Sequence, residues 1–399
     1  MICRFTNCKL LRDGHLLGEE DLWVRNGIIL NPRDVFWGEK RTPDRVIDCK
    51  GYIAAPGFID TQINGALGFD FSSNLDNFPE SLCAVAKEIL RHGVTAFCPT
   101  IVSSTRETYK EILPKFVAYE SGPDEATLLG LHLEGPFISQ EKRGAHHEKA
   151  VWVDEDKAIT MDTLMKRYGS LERVSIVTVA PELRGMYEVI EELQQKNIAV
   201  SLGHSMCNLD GAEDAVNRGS RFITHLFNAM LPFHHRDPGI VGLLTSKRLK
   251  NRQIYYGIIG DGVHTDPAAL RIAYRANPKG VVLVTDAMAA MGLSDGIHSL
   301  GCQSIEVQGN QARLVGEKDR LAGSVATMDH CVRYFEKETG CGIPAALEAA
   351  SLHPAKMLRL ENERGTLNYG SRADFILLDN DMNVQRTYID GRLVYETKK

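Results

Sequence analysis

The sequence predicts an α/β fold: a (β/α)8 barrel of the TIM type, with a small β-sandwich domain built from both chain termini. Three observations predict it. Eight short runs rich in Val, Ile and Leu recur through the middle of the chain, and most intervals between them carry helical periodicity. The two chain ends instead hold strand-like pieces separated by Gly, Asn and Pro. Apolar strands that are each followed by a helix point to a parallel sheet covered on both faces. Eight such units fit a closed barrel, which takes roughly 250 residues. An open doubly wound sheet is the structural alternative. No G-x-G-x-x-G follows the first run, so its dinucleotide-binding form loses support.

Residues 21–30, 45–49 and 52–54 are the strand-like pieces of the N-terminal end. The first barrel run, 58–60, follows Pro56-Gly57. A helix is predicted over 79–91, because Leu82, Val85, Ala86, Ile89 and Leu90 form one apolar stripe, with Pro79 in the first turn and Gly93 just beyond the end. The remaining runs are 94–98, 127–133, 174–179, 198–202, 222–226, 254–259 and 281–284. Asp266-Pro267 opens a helix carrying Leu270, Ala273 and Tyr274, whereas 227–253 is the least regular interval. At the C-terminal end, 373–378 and 384–394 read as strands, with Asp390-Gly391 as a hairpin turn. The expected division is residues 1–55 with 356–399 as the β domain, and 56–355 as the barrel.

The composition is that of a packed protein, at 43% hydrophobic and 25% charged, which excludes a disordered or fibrous chain. Lys and Arg total 46 against 52 Asp and Glu, and no basic block suggests a nucleic-acid track. One local cation can still hold a phosphate. No apolar run approaches the ~20 residues of a membrane span. The start, MICRFTNCKLL, has no apolar core before a cleavage site, so a cytoplasmic location is expected. The nine cysteines, at 3, 8, 49, 83, 98, 207, 302, 331 and 341, form no CxxC pair and read as reduced thiols.

Polar residues fall where the apolar runs stop. His132 and Glu134 lie in LHLEGPF, His204 in SLGHS, His225 in THLFNAM, His264 in GDGVH and Asp286 in VLVTDAM. In a barrel all strand ends open onto one face, which houses the active site. A Glu oxygen and two imidazoles, from Glu134, His204 and His225, suit Zn2+ or another divalent transition metal and leave a position for water. Asp286 beside such a water suits a general base that later returns the proton to a leaving amine. Taken singly, each histidine is more often a hydrogen-bonded, half-buried residue, and Asp286 a helix N-cap. Jointly they are harder to explain that way, because burying a polar group without a partner costs a few kcal/mol.

The strand-end ligands, the strand-rich termini and the closing HPAKMLRL…ERGTLNYGSRADFILLD resemble the amidohydrolase superfamily. Within it, APGFIDTQINGALGFDF, GLHLEGPFI, KRGAH, SLGHS, THLFNAM, GDGVH, TDAM and LAGS are similar, in order, to the N-acetylglucosamine-6-phosphate deacetylase family. The resemblance implies hydrolysis of N-acetylglucosamine 6-phosphate to glucosamine 6-phosphate and acetate by metal-bound hydroxide. Glu134, His204 and His225 would hold the metal, and Asp286 would be the acid/base. His264 would polarise the acetamide carbonyl, while Ala145 and His146 would meet the sugar. Asn228, Ala229 and Arg236 would hold the 6-phosphate, with Arg236 reaching across a homodimer interface. Leu321, Ala322, Gly323 and Ser324 would line the acetyl end.

Many amidohydrolases carry H-x-H at the end of strand one, building a second metal site, but this chain has Gln62-Ile63-Asn64 there. Amides are poor ligands for a transition metal, so one divalent ion per subunit is expected, Zn2+ first, with Co2+, Fe2+ or Mn2+ as alternatives. His132 reads as packing behind the ligands, and His234 and His235 have no assigned role. The rival readings are an amidohydrolase acting on a cyclic amide or purine, and a silent amidohydrolase-like scaffold.

Overall fold

The computed structural model describes all residues except 19, 74–76, 154–156, 251, 301–302, 317–320 and 399. Its centre is a curled parallel sheet. Strands β1 (Phe58–Ile63), β2 (Val94–Val102), β3 (Leu131–Glu134), β4 (Val174–Val179), β5 (Ala199–Leu202) and β6 (Phe222–Ile223) pair side by side in sequence order. Strands β7 (Tyr256–Ile259) and β8 (Val281–Val284) form a second parallel pair. Backbone hydrogen bonds reach between the two groups on both sides, among them Leu226 N–H to the Gly257 carbonyl at 2.7 Å and Asp286 N–H to the Gln62 carbonyl at 2.9 Å. The strands are buried on both faces, as their unbroken apolar runs require.

Helices follow most of these strands and close over the sheet with apolar stripes. Phe78–Glu88 buries Phe78, Leu82, Val85 and Ala86, then tightens into a 3-10 turn over Ile89–His92, so the predicted single helix is two pieces. Pro267–Ala276 starts where Asp266 accepts the Ala268 N–H, as its cap residue predicts.

Two expected strands are shorter than their apolar runs. The run at 127–133 divides into Thr127–Leu128 and Leu131–Glu134 at Gly130, whose φ is +123°. A Cβ at Gly130 would lie 2.1 Å from Ser175 Oγ, so this turn needs glycine. The run at 222–226 pairs only over Phe222–Ile223, because His225 leaves the extended region.

The chain ends do pair. Ile53–Pro56 lies antiparallel to Phe375–Leu378 inside a six-stranded sheet, and a four-stranded sheet from the N-terminal end packs nearby. Phe5, Leu10, Val24, Phe375 and Tyr388 share one apolar cluster between them. The hairpin predicted at Asp390-Gly391 joins Val384–Ile389 to Arg392–Glu396. The antiparallel sheet built from Gly296–Leu300, Gln303–Gln308, Gln311–Leu314 and Leu321–Ser324 is a feature the sequence reading lacks. Its first strand is mostly exposed, so no apolar run announces it. The described cysteines are all free, and Cys302 lies outside the described residues. Among the described residues no helix is long and apolar enough to cross a membrane.

Candidate active site

The ends of β3, β5, β6 and β8 deliver Glu134, His204, His225 and Asp286 to one mouth. His204, His225 and Asp286 have φ of +50°, +26° and +47°. Left-handed backbone is uncommon for such residues and costs of order 1–3 kcal/mol each, a strain that clusters at functional sites. Here it breaks each strand at the residue that faces the mouth.

Three side-chain atoms converge. Glu134 Oε1 lies 3.0 Å from His204 Nε2 and 3.1 Å from His225 Nε2, and the two Nε2 atoms are 3.0 Å apart. All three side chains are almost fully buried. His204 Nδ1 lies 2.7 Å from the Lys142 carbonyl, which can only accept, so Nδ1 carries a proton and Nε2 is the nitrogen turned toward Glu134 and His225. Two imidazole nitrogens facing each other beside a carboxylate are donors of the kind that hold a divalent metal ion. Burial works against the charged form of Glu134, but the hydrogen bonds and charges of His204 and His225 outweigh it and hold that carboxyl below its usual range. For His225, burial is likewise outweighed by Glu134, so its basicity is raised. A dense negative and basic cluster of this kind fits a divalent cation.

His146 also comes close, since ligand atoms of Glu134, His146 and His204 lie within 4.8 Å of one another. Its chemistry differs. His146 Nδ1 accepts the Ser103 N–H at 3.2 Å, and burial pulls the ring's pKa down to about 3. The ring is therefore neutral with its proton on Nε2, so it presents a hydrogen-bond donor to the mouth rather than a lone pair. His225 Nε2, 3.0 Å from His204 Nε2 and 3.1 Å from Glu134 Oε1, offers another third donor atom. His132 is saturated behind the site, bonded to the Thr61 carbonyl at 3.0 Å and to Thr178 Oγ1 at 2.7 Å.

Asp286 is gripped from the first strand. Asn64 Nδ2 donates to its Oδ1 at 2.7 Å, and Gln62 Nε2 donates to the same oxygen and to Glu134 Oε1, each at 3.2 Å. Both amides land on Oδ1 and neither on Oδ2. Burial and the Glu134 charge raise the Asp286 pKa to about 6, in the range of a base working near neutrality.

Asp261 is a residue at this mouth that sequence reasoning passed over, although it is the second residue of the GDGVH motif. Its Oδ2 takes the His264 Nδ1–H at 2.6 Å, while Oδ1 accepts the Val263 and His264 N–H groups at 2.9 Å each. Burial alone would lower the His264 pKa, but the Asp261 hydrogen bond and charge raise it overall. With Nδ1–H committed to Asp261, only the imidazolium can also donate from Nε2. Asp261→Asn is expected to lower kcat by about 10- to 100-fold and move the alkaline limb of the rate profile to lower pH, because the imidazolium loses its counter-charge. A pH–rate profile superimposable on that of the parent would contradict this role.

The other predicted residues are placed unevenly. Asn228 N–H is committed to the His225 carbonyl at 2.9 Å, but its side-chain Nδ2 is buried without a partner in the protein. Gln62 Oε1, Asn64 Oδ1 and His225 Nδ1 are unpartnered in the same way. Such orphaned atoms clustered at one mouth mark a place for a polar ligand. Leu321–Ser324 runs beside Ala287, where Met288 N–H donates to the Ser324 carbonyl at 2.9 Å, so this segment borders Asp286. Ala145 is exposed, and Ala229 is half-buried with φ of +52°. Arg236 stands exposed beside Phe233, His234 and His235 and is not drawn into the ligand cluster.

The amidohydrolase family pattern matches residues 53–394. The chain belongs to the amidohydrolase family. It is 56% identical over 396 residues to N-acetylglucosamine-6-phosphate deacetylase of Homo sapiens, spanning 99% of this chain and 96% of that protein. It is 55% identical over 399 residues to the protein of the same name from Bos taurus, spanning 100% and 97%. The crystal structure of N-acetylglucosamine-6-phosphate deacetylase from Thermotoga maritima aligns over 100% of both chains, at 31% identity and a TM-score of 0.81. This amidohydrolase has Gln62 and Asn64 in place of the histidine pair, and both are used as donors to carboxylates.

Proposed function

We propose that this chain hydrolyses N-acetylglucosamine 6-phosphate to glucosamine 6-phosphate and acetate. The observation that carries the reading is the meeting of Glu134, His204 and His225 within 3.1 Å of one another. Similarity along the whole chain to proteins bearing the deacetylase name supports it over a cyclic-amide hydrolase or a silent scaffold.

One divalent ion per subunit, Zn2+ first and Co2+, Fe2+ or Mn2+ as alternatives, would supply Lewis acidity and a more acidic water when held by Glu134, His204 and His225. Asp286 takes the proton of the attacking water at Oδ2 and delivers it to the amine nitrogen as the C–N bond breaks. His264, held by Asp261, donates from Nε2 to the carbonyl oxygen as charge gathers there. His146 Nε2–H hydrogen-bonds the sugar beside Ala145, and Leu321, Ala322, Gly323 and Ser324 wall the acetyl end. Asn228 Nδ2 and the Ala229 backbone meet the 6-phosphate, joined by the forked Arg236 guanidinium. An exposed Arg236 loop fits delivery across a homodimer interface. The reading includes a closed eight-stranded barrel at 56–355, a β-sandwich from 1–55 and 356–399, and a cytoplasmic location.

Comparing turnover of the phosphorylated and unphosphorylated sugars tests the substrate assignment. Removing the phosphate is expected to lower kcat/KM by at least about a hundredfold, since charge-assisted bonds to phosphate are worth several kcal/mol together. Equal turnover of the two sugars would refute it.

A further inference from the structure

The opposite ends of the strands carry a cluster of cations that the deacetylase chemistry does not use. Arg221 immediately precedes β6, and Tyr255 immediately precedes β7, so both lie at the strand starts, away from His225 and the mouth. Arg221 stands between two cavities. One, of about 250 Å3, is lined by Arg221, Arg252, Lys356 and Tyr255; the other, of about 110 Å3, by Arg221, Arg359, Ser175 and Asn197. Arg221 is half-buried, whereas Arg252, Lys356 and Arg359 are exposed at the rim.

Among the described residues, most of these donors have no hydrogen-bond partner. The Arg221 guanidinium bonds the Met357 carbonyl at 3.2 Å, at the end of the helix Leu352–Leu358, and Arg359 bonds Asn197 Oδ1 at 3.1 Å. Among the described residues, none of the four cations is ion-paired with a carboxylate. Burial and the like charges of Arg359 and Arg252 lower the Arg221 pKa overall, with Tyr255 and the Glu361 carboxylate acting in the opposite sense. Four cations gathered around a recess, with the half-buried one in no direct ion pair and only the Glu361 charge nearby to offset them, make a ready anion site.

We propose that this recess binds a small phosphate-bearing anion at the strand ends opposite the active site. Planar guanidinium groups present forked donors that match phosphate oxygens, and the Lys356 ammonium adds a point charge. Tyr255 gives the recess a flat wall. A small ligand fits better than a nucleic acid, because the recess is compact and the chain as a whole carries a formal charge of −6.

The test titrates inorganic phosphate into the metal-replete full chain carrying Arg236→Ala, which removes the forked cation assigned to the 6-phosphate. Calorimetry is expected to show saturable binding that weakens as salt rises. Adding Arg252→Gln and Lys356→Gln, two exposed substitutions, is expected to weaken that binding by at least about tenfold, since two charge-assisted contacts are lost. Repeating the titration with glucosamine 6-phosphate, which also binds the active site as product, separates the sources by the share of binding that Arg252→Gln and Lys356→Gln remove: a share of the same affinity as phosphate means the phosphate group alone is read, and a tighter one means a sugar phosphate. Absence of saturable phosphate binding, or the same affinity in the variant lacking both cations, overturns the proposal.

Discussion

Asp286→Asn is expected to lower kcat for acetate release by about three orders of magnitude while leaving bound metal and thermal stability unchanged. Asparagine has nearly the same shape, and its carbonyl oxygen can still receive the Asn64 and Gln62 amides that now reach Oδ1 at 2.7 and 3.2 Å. What it lacks is the basic oxygen that accepts the water proton and returns it to the amine. The pH dependence follows with a definite sign. Asp286 works as the carboxylate, so activity is present above its pKa of about 6 and falls as the pH drops through that value. Retention of parental kcat in Asp286→Asn, with metal bound, would remove Asp286 from the chemistry.

Glu134→Ala is expected to be as damaging for a different reason. The carboxylate is the only anionic donor among the three converging atoms, and removing it leaves two imidazoles 3.0 Å apart. Without Glu134, their lone pairs face each other with no negative charge to hold a cation between them. Metal content is expected to fall from about one ion per subunit to a small fraction, and kcat by more than about a thousandfold. Elemental analysis of the purified variant reads the first effect and acetate release the second. A variant that kept its metal and turned over normally would show that Glu134 is not a ligand.

Much of this architecture was legible because apolar runs and polar stops are local signals. The runs at 174–179 and 281–284 coincide with Val174–Val179 and Val281–Val284, since each is bounded by a change in polarity. The positions of Glu134, His204, His225 and Asp286 were legible for the same reason. What the local pattern could not carry is pairing over distance. Gln62 and Asn64 read as an absence, the loss of a histidine pair. In the fold they are donors to Asp286, more than two hundred residues away, and Gln62 also bridges to Glu134. Asp261 was hidden differently: its role is to hold His264, and a carboxylate three residues before a histidine has no distinctive spacing in a loop. The hairpins beginning at Gly296–Leu300 were missed because an exposed strand has no apolar face to advertise it.

The most direct test is acetate release from N-acetylglucosamine 6-phosphate by the purified chain, measured before chelation, after it, and after one equivalent of Zn2+ is restored. Stoichiometric acetate and glucosamine 6-phosphate, lost with the metal and regained on its return, is the result expected from a cation held by Glu134, His204 and His225. Full activity in metal-free protein, or no acetate from metal-replete protein, would contradict it.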